Sequence, residues 1–311
     1  PDWNLAAARG PCYHARRPRP APDGDHAVPC LAVRRLPCAV ACVGLACCLA
    51  AATARAQEAA PDLEAMLEMV PVAPGSFLMG SPPTEPDRRG DETRHRVTLT
   101  RPFYIGAREV TQYLWSEVMG YDRSYNAGCA DCPVENVTWF EAVEFCNRLS
   151  LRLQLEPAYA IDGAEVTWRR DAAGVRLPTE AEWEYVFRAG TESPFPTGTC
   201  LSADQENLNG YLPWAECGER MWRGQTIPVG ELPAGPSGTY DMGGNVAEWC
   251  WDVYVPHAPG PVTDPTGPAS GADRVQRGGA FNAGMTHARS AARLGVAAGV
   301  RSVYRGLRLA L

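Results

Sequence analysis

The second half of the chain most constrains its fold. Beyond Ala189 the sequence is rich in Gly, Pro, Asn and Asp, its apolar runs are short, and no helical or strand period persists. Such a segment cannot supply the long amphipathic elements of a helix bundle or a doubly wound sheet. It can still pack, because nine tryptophans and 45% hydrophobic residues provide a core. Ordered loop of this kind needs fastening, and cysteines can supply it. Twelve are present, six before residue 50 and six between 129 and 250.

The first 56 residues read as something other than the fold. Residues 1–33 are Pro/Arg-rich and aperiodic, and we read them as an upstream artefact or a disordered leader. Residues 34–56 read as a signal peptide. Arg34-Arg35 precede the apolar run Pro37 to Ala52, and Ala54-Arg55-Ala56 gives a small-x-small cleavage pattern. At 16 residues the run is short of the roughly 20 that span a bilayer, so no stable membrane span is expected after cleavage. Residues 57–65 form a linker, and 66–311 the domain. The expected localisation is secreted or periplasmic.

All 29 basic residues are arginine, which excludes Schiff-base lysine chemistry and a lysine-bearing phosphate loop. Residues 57–311 hold 22 basic and 33 acidic residues, a net of −11, which argues against nucleic acid as a partner. The charge is uneven. From 271 to 311 there are seven arginines (274, 277, 289, 293, 301, 305 and 308) and only Asp273 as an acid. Either this +6 segment pairs internally with the −17 remainder, or it forms an anion-binding surface.

Local signals place the elements. Met69 to Gly80 and His95 to Thr100 alternate as strands do, with a charged Pro/Gly loop between them. A helix is expected over Thr111–Val118. Thr138-Trp-Phe-Glu141 and Thr179-Glu-Ala-Glu182 are capping boxes, opening helices to about Leu151 and Arg188. The class is therefore α+β, loop-rich, with few helices and short strands. Thiols oxidise on export. A Cys200–Cys217 disulfide would staple an Asn/Asp/Gly-rich loop, and Cys129-Ala-Asp-Cys132 reads as a local structural disulfide ahead of a redox site. Cys146 and Cys250 are buried thiols or each other's partner.

Seven strings occur in register: Val72-Ala-Pro-Gly-Ser-Phe-Leu-Met-Gly, Phe103-Tyr-Ile-Gly with Glu109-Val-Thr, Pro133-Val-Glu-Asn-Val-Thr-Trp, Arg176-Leu-Pro-Thr-Glu-Ala-Glu-Trp-Glu, Asp241-Met-Gly-Gly-Asn-Val-Ala-Glu-Trp, Arg277-Gly-Gly, and Gly306-Leu-Arg. Together they resemble the formylglycine-generating enzyme family, also called sulfatase-modifying factors, over residues 66–311. The resemblance implies a fold related to C-type lectin domains. It also implies, for the family's enzymes, oxidation of a substrate cysteine by oxygen at a copper(I) held by two cysteines, soft ligands that select that ion. Here the first cysteine position falls on Ala283 and the second has no counterpart. The family's serine is Ala280, and its tryptophan two residues after Asn245 is Ala247. Copper is therefore not expected, and no catalytic residue is assigned.

A calcium site fits the resemblance better. The family motif maps onto Asp241, the Gly244 and Val246 carbonyls, and Glu248, against the alternative of a hydrogen-bonded turn without metal. A weaker second site maps onto Asn207 and Leu208; its acidic ligand falls on Met221, with Glu219 as a substitute. Residues 57–311 hold three histidines, His95, His257 and His287, which do not have the spacing of the iron-binding relatives.

The expected function is a non-catalytic module, a pseudoenzyme, binding a peptide, protein or anionic ligand. Its groove candidates are Phe281, Asn282, Met285, His287 and Arg289. Two alternatives stand beside it. One is an oxygen-dependent oxidase or protein-modifying enzyme using non-cysteine metal ligands such as Met285 and His287. The other is a retroelement-diversified receptor-binding protein, since Arg277-Gly-Gly-Ala-Phe through Gly306-Leu-Arg has the outline of those related folds.

Overall fold

Among the described residues, three of the four helices begin where the sequence supplies a cap. In the computed structural model, which describes residues 62–212, 214–217 and 220–311, the helices are α1 (Gln112–Met119), α2 (Trp139–Arg152), α3 (Glu180–Arg188) and the short α4 (Met285–Ala288). Thr111 caps α1 through a bond from Leu114 N, and Gly120 ends it in the left-handed region. Thr138 with Glu141, and Thr179 with Glu182, form the two reciprocal capping boxes. The leader, the signal-peptide segment and residues 57–61 lie outside the described residues.

The strands are short. They are β1 (Met69–Val72), β2 (Gly75–Met79), β3 (His95–Leu99), β4 (Phe103–Gly106), β5 (Tyr159–Asp162), β6 (Glu165–Trp168), β7 (Ala247–Val253), β8 (Val262–Thr263), β9 (Asp273–Arg277), β10 (Leu294–Ala297) and β11 (Arg305–Gly306). The alternating stretch from Met69 to Gly80 is broken at Ala73-Pro74. Its two halves then join different sheets: β1 pairs with β4, and β2 with β3. Proline has no N–H to give a ladder, so the break falls where the sequence cannot continue one.

The largest sheet runs β10-β9-β7-β11. Here β7 is antiparallel to β9 and parallel to β11, with a register irregularity between Trp249 and Val253. Residues from α1, α2, β7 and the C-terminal stretch fill one core around Trp115, Trp139, Phe145 and Trp249. A second core joins β3 and β4 to α3 through Val97, Ile105, Trp183 and Phe187. A third and smaller one, with Phe195, Trp214 and Met285, sits beneath the long loops. Both expected disulfides are formed, Cys129–Cys132 and Cys200–Cys217. Cys146 and Cys250 are free and buried in the first and second cores respectively. Among the described residues no helix is long and apolar enough to cross a membrane.

The +6 C-terminal segment largely pairs with the acidic body. Arg289 bonds Glu85 at 2.6 Å and Glu92 at 2.8 Å, Arg293 bonds Glu180, and Arg308 bonds Glu248 at 2.7 Å. Arg277 holds Glu184 and the carbonyls of Ser290 and Ala292. These are buried pairs, in which each guanidinium also satisfies backbone carbonyls.

Candidate functional site

The strand β9 ends in a turn that only glycine can make. Gly278 and Gly279 have φ of 94° and 73°, and a Cβ on Gly278 would stand 2.5 Å from the Met242 carbonyl. The turn delivers residues 280–284 and then α4. Phe281 N donates to the Asn245 carbonyl, and the Phe281 ring packs on Tyr304 at 5.3 Å. Ala283 is buried, and its carbonyl accepts from Asn209 N at 2.9 Å. Met285 lies inside the third core. Arg289 is buried in its glutamate pairs.

Of the five groove candidates, then, Phe281, Met285 and Arg289 point inward, and Asn282 and His287 are half-buried. Burial lowers the His287 pKa, and the Arg89 and Arg289 charges add to that. Beside this loop the sequence reading missed a rim. Tyr211, Leu212, Met221 and Trp222 are 59%, 51%, 41% and 47% exposed. Backbone bonds bring the two halves together, since Gly210 N donates to the Met221 carbonyl at 2.9 Å. Trp222 Nε1 donates to the Phe281 carbonyl at 2.8 Å, and a Cβ on Gly284 would stand 2.6 Å from Leu212 Cβ. The apolar rim is thus fixed to the 281–284 turn. Nothing in the strand or helix periodicity marks it, because it belongs to the loop following Cys200.

The expected calcium residues sit behind this turn in a cluster of buried carboxylates. Asp241 has φ of 60°; its Oδ2 accepts from Gly230 N at 2.7 Å, and its Oδ1 has no partner among the described residues. Glu248 is fully engaged by Arg308 and by Trp183 Nε1 at 2.7 Å. Val246 N donates to Glu109 at 3.0 Å, and Gly244 packs on the Asn207 backbone. Asn207 donates to the Gln225 carbonyl and to Asn245, leaving its Oδ1 without a partner. Leu208 is buried, Met221 is exposed, and Glu219 lies outside the described residues.

Glu109 and Glu206 complete the cluster, and neither was picked out as a metal ligand from sequence. Burial, then the Asp241 charge, raises both well above the ordinary carboxylate range. Asp241 itself is pushed up to about 6, chiefly by burial. Glu206 Oε2 also has no partner. Even so, among the described residues no three His, Cys, Asp or Glu side chains converge in a metal-holding group.

Comparison with known proteins fits this architecture. Residues 54–311 match the family model described as the sulfatase-modifying factor enzyme 1-like domain. The chain is 39% identical to the chaperone protein LppX of Paenibacillus barcinonensis, over 51% of this chain and 64% of that one. It is 30% identical to the formylglycine-generating enzyme of Mus musculus, over 70% of this chain and 67% of the enzyme. The matches therefore span about two thirds of these relatives' lengths. Among solved structures, Treponema denticola variable protein 1 superposes with a TM-score of 0.67 at 32% identity, covering 78% of this chain and 94% of that one. PvdO from Pseudomonas aeruginosa gives 0.61 at 26% identity, covering 78% and 94%. The chain belongs to the sulfatase-modifying factor enzyme 1-like family, with its loop-rich α+β fold.

Proposed function

We propose that this domain is an exported, non-catalytic member of the family that binds protein chains through the rim at Tyr211, Leu212, Met221 and Trp222. The observation that carries the reading is that rim, four exposed apolar side chains fastened to the turn where the family's copper cysteine is replaced by Ala283. Contiguous exposed apolar surface of this kind is a mark of interaction sites. Asn282 and His287 would add polar contacts at its edge. The likeness to a protein named as a chaperone points the same way. The two formed disulfides suit an oxidising compartment outside the cytosol.

Copper does not fit the residues present. Position 283 is a buried alanine, Met285 is turned into the third core, and Cys146 and Cys250, the free thiols among the described residues, lie in the other two cores, where burial raises the pKa of each. The double variant Tyr211→Ser/Leu212→Asp should keep the fold, since both side chains are exposed. It should weaken binding of a fluorescently labelled, reduced and unfolded polypeptide by about tenfold or more, read by anisotropy. An affinity equal to that of the parent rules this surface out. Oxygen uptake on a thiol substrate with added copper or iron, lost on His287→Ala, would overturn the non-catalytic reading.

We also propose a structural calcium held by Asp241, the Gly244 and Val246 carbonyls, and Glu248. The unpartnered Asp241 Oδ1 and Asn207 Oδ1, in a cluster of carboxylates whose pKa values burial has raised, fit a bound cation. Glu248 would share its oxygens between the ion and Arg308. Calcium would supply charge neutralisation and tie the Gly243-Gly244 turn to β7. At calcium a hundredfold above Kd the gain is about 2.7 kcal/mol, so chelation should lower Tm by about 5–10 °C. An unchanged Tm in calcium-free buffer with chelator removes the ion from the account.

A second reading has one observation in its favour, the likeness to a protein named as a variable protein. On that reading the stretch from Arg277-Gly-Gly to Gly306-Leu-Arg would be varied for receptor binding. A nearby reverse transcriptase gene with a template repeat would support it.

A further inference from the structure

The seven C-terminal arginines divide by partner. Arg277, Arg289, Arg293, Arg301 and Arg308 each pair with a glutamate. Among the described residues Arg274 has no carboxylate within ion-pair distance, but it lies over the Trp139 ring at 3.7 Å and donates to the Trp251 carbonyl at 2.6 Å. Arg305 has neither compensation. Among the described residues its side chain makes a single hydrogen bond, from Nε to Gln276 Oε1 at 2.9 Å, and no carboxylate lies within ion-pair distance. Burial lowers its pKa with no opposing charge, as expected of a desolvated cation that lacks a counter-ion.

Its neighbour is incomplete in the complementary sense. Gln276 is 2% exposed, and its Nε2 has no acceptor. Exchanging the amide N and O would set donor against donor at Arg305, so the orphaned atom is the N–H₂ group. The sheet register explains the juxtaposition. Gln276 on β9 pairs with Trp249 on β7, and Arg305 on β11 pairs with Ala247 on β7. Residues 247 and 249 share a face, as side chains two apart on a strand do, so Arg305 and Gln276 stand on that face with β7 between them. The single methyl group of Ala247 leaves room for the arginine to cross.

We propose that Arg305 and Gln276 form a carboxylate-binding site on this face, the guanidinium Nη groups and the Gln276 amide donating to one ligand carboxylate. A planar guanidinium fork matches the two in-plane oxygens of a carboxylate, and one cation balances a monoanion. The neutral amide adds a directed donor without a second charge. The carboxylate belongs either to a small organic acid or to an acidic residue or C-terminus of a protein. The site uses none of the four rim residues, so separate variants test the two readings and they fail separately.

The test is side-chain NMR of the isotope-labelled full chain at constant ionic strength. Sodium acetate and the peptide acetyl-Gly-Glu-Gly-amide are titrated against sodium chloride as control. Both carboxylates should shift the Gln276 amide resonances saturably, and chloride should not. Tighter saturation by the peptide identifies a protein-borne carboxylate; equal or tighter saturation by acetate identifies a small acid. Arg305→Met should weaken binding by about tenfold or more. Gln276→Glu should do the same while raising Tm, because the new carboxylate fills the counter-ion position from within. The proposal is overturned if the parent shows no saturable response, if chloride matches it, or if Gln276→Glu binds acetate as the parent does.

Discussion

Replacing Arg308 by glutamine should cost about 3–5 kcal/mol, the range for leaving one partner of a buried ion pair uncompensated. Arg308 is fully buried and bonds both oxygens of Glu248. It also donates to the carbonyls of Gly106, Ala107 and Tyr240. Those carbonyls belong to the end of β4 with the residue after it, and to the loop before Asp241, so one side chain ties two segments to β7. Glutamine shortens the reach and leaves Glu248 beside the carboxylates of Glu109 and Asp241 without its main counter-charge. Urea unfolding at neutral pH measures the loss. The companion variant Glu248→Gln separates charge from packing, and the double variant should be less damaged than the sum of the singles. A cost below about 1 kcal/mol for Arg308→Gln would place this pair with surface bridges, contrary to its burial.

The second large effect is a pH dependence at Asp252. This carboxylate is buried, accepts from Glu180 N at 2.7 Å at the start of α3, and is pushed up to about 7 by burial and then by the Glu180 charge. Glu180 itself is held well below the usual range by Arg293, His257 and Arg277 against its own burial, so it keeps its charge. A carboxyl group raised in the folded state contributes stability that is full below its unfolded pKa and is lost as pH rises through the folded value. The window therefore runs from about 4 to about 7, with an upper size of about 4 kcal/mol. Asparagine is neutral throughout and can accept the same backbone bond. Asp252→Asn should thus be more stable than the parent by about 1.5 kcal/mol at pH 5 and by up to about 4 kcal/mol at pH 8. Unfolding curves at the two pH values check this. A difference that does not change with pH would mean that Asp252 carries its charge in the fold without penalty.

Some features were legible because their physics is local. The capping boxes at Thr138 and Thr179 require only residues three apart, and both opened helices within one residue of the expected starts. The two disulfides close short segments already rich in loop residues. By contrast, the partners of Arg289 lie in the loop at Glu85 and Glu92, about two hundred residues away. The composition of residues 271–311 signalled a charge to be balanced without saying by which acids. The groove candidates illustrate the same boundary. Position along the motif places Met285 and Arg289 beside the turn, but α4 turns the methionine into the third core and the arginine into an acidic cage.

By itself, the sequence determined the family, the loop-rich α+β class, the helix starts and the two staples. These follow from residue identity and short-range chemistry. The tertiary structure alone decided which C-terminal arginines are neutralised, which are not, and where apolar side chains remain in solvent. Those outcomes depend on contacts between segments far apart in the chain. A guanidinium's electrostatic fate is set by what the fold brings within a few ångströms of it, and for Arg305, among the described residues, that is one amide and no carboxylate.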